Sequence, residues 1–146
     1  MTKARWLLVV PIALLAAQVV RPAHTNPPVE TELTVPPEVA ALLRRACWDC
    51  HSNETVWAWH TFVAPLSWLT VHDVNEGRQE LNFSRREPAR RPDRMGAKIA
   101  EEVSEGDMPP FLYALVHPAA RLSDAERATL ARWARILPAG ARGRER

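Results

Sequence analysis

The chain has 146 residues and a formal net charge of +2, enough for one domain with tails and a modest core. Lys3 and Arg5 account for the whole surplus, leaving 17 basic residues against 17 acidic ones; this balance excludes binding to nucleic acid through net positive charge. The basic run Arg85, Arg86, Arg90, Arg91, Arg94 is broken by prolines and acids and reads as a solvated loop. Thirteen prolines against five glycines imply short, stiff connections, and six tryptophans serve either as core aromatics or as walls for a flat ligand.

Lys3 and Arg5 precede an apolar run from Trp6 to Val20, interrupted by Pro11 and Gln18. This is a positive n-region followed by an h-region. The run is short for a full membrane span, and no clean small-x-small cleavage site follows it. Residues 1–21 are therefore expected to be an export signal or an uncleaved anchor. Their charge puts the N-terminus in the cytoplasm and the remainder outside. Residues 22–35 are polar and proline-rich and read as a linker, with His24 idle.

Pro36-Pro37 opens the first helix of the domain, predicted over residues 36–46, because proline suits a first turn. Val39, Leu42, Leu43 and Ala46 give it one apolar stripe. It leads into Cys47-Trp48-Asp49-Cys50-His51, which holds both cysteines of the chain. In this C-x-x-C-H pattern two thiols can add to the two vinyl groups of one haem, and the histidine then ligates the iron. A redox dithiol normally accompanies βαβ patterns, and none is visible. A zinc site usually draws four ligands, and there is no second knuckle. A disulfide would leave His51 without a purpose.

Residues 52–64 read as a loop in which Trp57, Trp59 and Phe62 line the edge of the cofactor, with His60 a hydrogen-bonding residue. Residues 65–81 read as a helix whose buried side carries Phe62, Leu66, Leu69 and Val74. His72 on this helix is a second candidate iron ligand. Arg78 suits either a haem propionate or a surface ion pair. Residues 82–91 are expected to be a polar loop. A helix follows over 92–105, with Met95, Ile99 and Val103 on its apolar face and Gly106 as its C-terminal stop.

Met108 lies off any helical stripe, between that stop and Pro109-Pro110. It reads as a gap filler or as a thioether ligand opposite histidine, and the upstream C-x-x-C-H favours the ligand. His117, before Pro118, is a weaker candidate. Ser123-Asp124-Ala125-Glu126 has the form of a capping box. The last helix carries Leu130, Trp133, Ala134 and Leu137 and is expected to end at Pro138 and Gly140. Residues 36–138 thus form the predicted domain, and 139–146 a charged tail.

This order resembles the class I cytochrome c layout, in an all-α domain. It resembles more closely the bacterial haem-binding-domain family of exported, often membrane-anchored proteins. The segments that carry the likeness are Cys47–Thr55, Ala64–Trp68, Asp73-Val74 with Glu76-Gly77-Arg78, Leu81–Ser84, Met108-Pro109-Pro110 and Tyr113–Ser123. The resemblance implies that Cys47 and Cys50 tether one covalent haem c, that His51 ligates it, and that Met108 is the distal ligand. The chain departs from the family at Trp57-Ala58-Trp59-His60 and at Arg85, which affects how the haem edge is covered.

Two functions fit. One is a periplasmic electron carrier, anchored to the inner membrane, that exchanges electrons with a redox partner protein and has no enzymatic activity. The other is a haem sensor or peroxidase-like protein with an open or displaceable sixth position, lined by His72, His60 or the tryptophans. A thiol oxidoreductase without haem is a third and lesser reading.

Overall fold

The computed structural model describes residues 3–86 and 91–137. All regular structure among them is helical: α1 (Lys3–Ala17), α2 (Pro37–Ala46), α3 (Trp48–His51), α4 (Leu66–Glu80), α5 (Pro92–Glu105), α6 (Phe111–Val116) and α7 (Asp124–Arg135). Two 3-10 turns, Trp59–Phe62 and Pro118–Ala120, complete the set. The all-α expectation holds.

The core is made by α2, α5 and α7. Val39, Leu43 and Ala46 of α2 meet Met95, Ile99, Ala100 and Val103 of α5 and Leu130, Trp133 and Ala134 of α7. Leu43 and Leu130 are fully buried, each contributing about 1.5–3 kcal/mol by transfer from water. The most extensive helix contact is between α5 and α7. Gly96 allows it, since a Cβ there would collide with the Ala134 carbonyl of α7. Arg45 on α2 reaches Glu126 in the first turn of α7 at 2.7 Å.

The local signals read from the sequence are in place. α2 starts behind Pro36, and α5 stops at Gly106, which has φ 89°. The capping box of α7 is complete: Glu126 N–H donates to Ser123 Oγ at 3.3 Å, and Ser123 N–H donates to Glu126 Oε2 at 2.8 Å. The helix ends at Arg135; Pro138 and Gly140, expected as its stop, lie outside the described residues, as does the tail.

Other expectations need correction. The buried face of α4 carries Ser67, Val71 and Val74. Leu66 and Leu69 are instead 46% and 41% exposed, and Phe62 is 55% exposed. The reason is tertiary: α4 packs against α3, and that contact sets which side turns inward. Residues 82–84, expected in a polar loop, are buried. Residues 24–35 do not hang free. Asn53 Nδ2 donates to Pro28 O at 2.8 Å, Glu30 N–H donates to Ser84 O at 2.8 Å, and Leu33 and Val35 pack against the core. His24 is not idle: it stacks on Phe62 at 4.1 Å, with its Nε2 2.7 Å from Thr61 O.

The apolar N-terminal run is helical over Lys3–Ala17, 15 residues. At 1.5 Å per residue that is roughly 22 Å, against a hydrocarbon core of about 30 Å. Among the described residues no helix is long and apolar enough to cross a membrane.

Candidate functional site

Cys47 closes α2, its N–H donating to Leu43 O at 2.9 Å, and α3 begins at the next residue. His51 N–H donates back to Cys47 O at 2.9 Å, which closes one helical turn. On such a turn positions i, i+3 and i+4 share a face, so Cys47, Cys50 and His51 come together. All three line one cavity of about 390 Å³, within the range of small-molecule and cofactor sites. The cysteines are not bonded to each other. Burial pushes both thiols up to about 12, so they are neutral at ordinary pH.

The imidazole of His51 is oriented by backbone. Its Nδ1 lies 2.9 Å from Gly77 O and 3.0 Å from Leu81 O. Carbonyl oxygens only accept, so Nδ1 carries the hydrogen and Nε2 keeps its lone pair. Burial lowers the His51 pKa, against the pull of the two carbonyls, and the ring is therefore neutral. A neutral histidine whose second nitrogen is tied to a carbonyl is the usual form of a metal-binding imidazole.

Three further groups position this turn. Gly77 lets α4 approach it, since a Cβ there would lie 2.7 Å from Cys50 O. A buried polar network holds residues 82–84 beside it: Asn82 Nδ2 donates to Asn53 Oδ1 at 2.8 Å, and Asn53 N–H donates to Ser84 Oγ at 3.0 Å. Phe83 N–H then donates to His51 O at 2.8 Å. Tyr113 OH donates to Asp49 Oδ2 at 2.8 Å, while Asp49 Oδ1 accepts from Val56 N–H at 3.0 Å. Burial, then the Asp49 carboxylate, keeps the tyrosine protonated.

Met108 lines the same cavity. Its loop is fastened to the end of α5. Arg127 Nη1 donates to Met108 O at 2.8 Å and to Val103 O at 3.2 Å, and the N–H groups of Gly106, Asp107 and Met108 all point to Glu102 O. The remaining walls are mainly apolar, with Ala46, Leu81, Phe83, Ile99, Val103 and Pro110. The rim carries Asp73, Glu76, Glu80 and Glu102 with Lys98, which pairs with Glu80.

The other candidates lie elsewhere. His72 is on the exposed side of α4, 3.4 Å from Glu76. His117 stacks on Tyr113 at 4.3 Å, and His60 lies beside it at 5.7 Å; neither lines the cavity. Trp57, Trp59 and Phe62, expected at the cofactor edge, do not line it either, and the aromatic walls are Phe83 and Tyr113. Arg78 fits neither expectation. It donates to Ser52 O and Thr25 O at 2.7 Å, Thr55 Oγ1 at 2.8 Å and Asn26 Oδ1 at 2.9 Å, and so ties residues 25–26 to the loop after α3.

Gly77, Phe83 and Tyr113 belong to no chemical motif in the sequence, and the one signal that marks them is that each falls in a segment that carries the resemblance named above. The donor set fits a haem: two thiols and a neutral imidazole share one face of a turn, and a thioether and apolar walls complete the slot. Among the described residues no three His, Cys, Asp or Glu side chains gather to hold a metal ion by themselves.

The family model described as the haem-binding domain matches residues 9–136, and the chain belongs to that family. No curated protein and no solved structure matches the chain.

Proposed function

We propose that this member of the haem-binding-domain family is an exported mono-haem electron carrier of the class I cytochrome c type. It is retained at the inner membrane by α1 and faces the periplasm. Cys47 Sγ and Cys50 Sγ would hold one haem c through two thioether bonds, and His51 Nε2 and Met108 Sδ would ligate its iron. The observation that carries the reading is the presence of all four side chains on the walls of one cavity. A haem held there would supply reversible one-electron chemistry, and ligation by a thioether together with an imidazole would favour the reduced state.

The protein's own part is to hold and to exclude. The carbonyls of Gly77 and Leu81 keep the His51 proton on Nδ1 and the ring in one orientation. Arg127 fixes the Met108 loop, and Ile99, Val103, Leu81 and Phe83 exclude water. A carrier requires little reorganisation on changing oxidation state, and a site fastened to helix ends and backbone carbonyls meets that need. Its partner is a redox protein at the membrane or in the periplasm.

Visible spectra of the exported protein, oxidised and reduced, with and without carbon monoxide, test this. A low-spin spectrum indifferent to carbon monoxide is expected. A high-spin or carbon monoxide-binding spectrum would replace the carrier with a sensor or peroxidase-like protein, and absence of any haem band would remove both.

A further inference from the structure

Phe62, Leu66 and Leu69 form an apolar stripe that the fold leaves outside. Beside it Trp59 is 80% exposed and Val63 44%. A contiguous exposed apolar surface marks an interaction site, and what adjoins this one identifies its partner. Gln18, just past the end of α1, holds both backbone groups of Ala64: its Nε2 donates to Ala64 O at 3.1 Å, and its Oε1 accepts from Ala64 N–H at 3.0 Å. Trp68 Nε1 donates to Val20 O at 2.8 Å. The segment leaving α1 is therefore fastened within the patch.

Past Arg5, α1 is apolar on every side. Leu8, Val9, Val10, Ile12, Leu14 and Leu15, which at about 100° per residue go round the whole helix, are all at least 46% exposed. A helix with no polar face is stable in hydrocarbon, not in water. It is also shorter than the bilayer core, so neighbouring apolar surface adds to its hold on lipid.

We propose that Trp59, Phe62, Val63, Leu66 and Leu69 are a lipid-contacting face that seats the domain on the bilayer around the point where α1 enters it. This rests on reading α1 as a retained anchor. Tryptophan and phenylalanine suit the headgroup boundary. α4 begins in this face at Leu66 and runs about 22 Å to Glu80, which lies on the rim of the cavity. The cavity rim, at the far end of α4, is thereby held at a fixed distance from this face and does not swing on a tether.

The test uses the full-length haem-loaded protein in vesicles of phosphatidylethanolamine and phosphatidylglycerol. Spin labels are placed through Phe62→Cys, Leu66→Cys and, at an exposed position of α7, Arg132→Cys. The measurement is the accessibility of each label to oxygen, which concentrates in lipid, relative to a water-soluble nickel chelate. The ratio should be several-fold higher at 62 and 66 than at 132. If the protein floats with the vesicles but the three ratios are equal, α1 anchors and the docking face is wrong. If it does not float, the anchor reading and this proposal fall together. Labels at 62 and 66 shielded from both reagents, and broadened by labels on another copy, would assign the face to self-association and overturn the lipid proposal.

Discussion

Replacing Gly77 by alanine tests how closely α4 packs on the Cys47–His51 turn. The new methyl would lie 2.7 Å from Cys50 O, 3.1 Å from Cys50 Cβ and 3.2 Å from its carbonyl carbon. Carbon and oxygen settle at roughly 3.3 Å or more even in favourable contacts. The closest obstacle is backbone, so the two helices must separate. In an exposed helix the same change stabilises by about 1 kcal/mol, because glycine is a poor helix former. Overpacking costs about 1–3 kcal/mol. The net expectation is a loss of up to about 2 kcal/mol, opposite in sign to the propensity effect. The displacement also lengthens the hydrogen bond between His51 Nδ1 and Gly77 O, now 2.9 Å, leaving Leu81 O as the nearer acceptor. The assay is urea unfolding of the haem-loaded protein beside Asn75→Ala, an exposed position on the same helix. Gly77→Ala should lower the midpoint while Asn75→Ala leaves it unchanged or raises it. If Gly77→Ala raises the midpoint as a surface glycine would, the close approach of α4 to Cys50 is refuted.

Met108→Ala should lower the reduction potential and admit carbon monoxide to the reduced iron; if neither changes in redox titration and carbon monoxide binding, Met108 is not the sixth ligand. His51→Ala should prevent a stable, normally ligated holoprotein, and recovering one would end its axial role. Arg78→Lys keeps the charge but loses the fork that serves four oxygens. It should cost about 1–3 kcal/mol in urea unfolding without altering the visible spectrum. Glu126 is held down at about 2, first by the Ser123 backbone N–H and then by the Arg45 and Ser123 side chains. Its folded pKa lies below its unfolded value, so its contribution is complete above the ordinary glutamate range and is lost as pH falls toward 2. Unfolding of Glu126→Gln should accordingly be less sensitive to pH between about 4.5 and 2 than that of the parent protein.

The elements legible in the sequence are those whose causes are local. α5 is delimited by Pro92 and Gly106, and α7 by the Ser123 box, because caps act within one turn of the residues that make them. The apolar stripes of α2, α5 and α7 survive because each meets the same core. The C-x-x-C-H turn is legible for the same reason, since one helical turn suffices to gather Cys47, Cys50 and His51. What tertiary structure alone decided depends on contacts between distant segments. Leu66 and Leu69 have the spacing of a buried stripe, yet α4 turns its other side inward, because Gly77 is where it can come closest to Cys50. Asn82 and Ser84 look like loop residues but are buried, because Asn53, about 30 residues away, satisfies their hydrogen bonds. Arg78 spends its guanidinium on residues 25–26 and 52–55 because the chain folds back there, and no periodicity records that return. Sequence names the groups able to hold a haem, while the cavity that joins Met108 to His51 exists only once α4, α5 and α6 have closed around the turn.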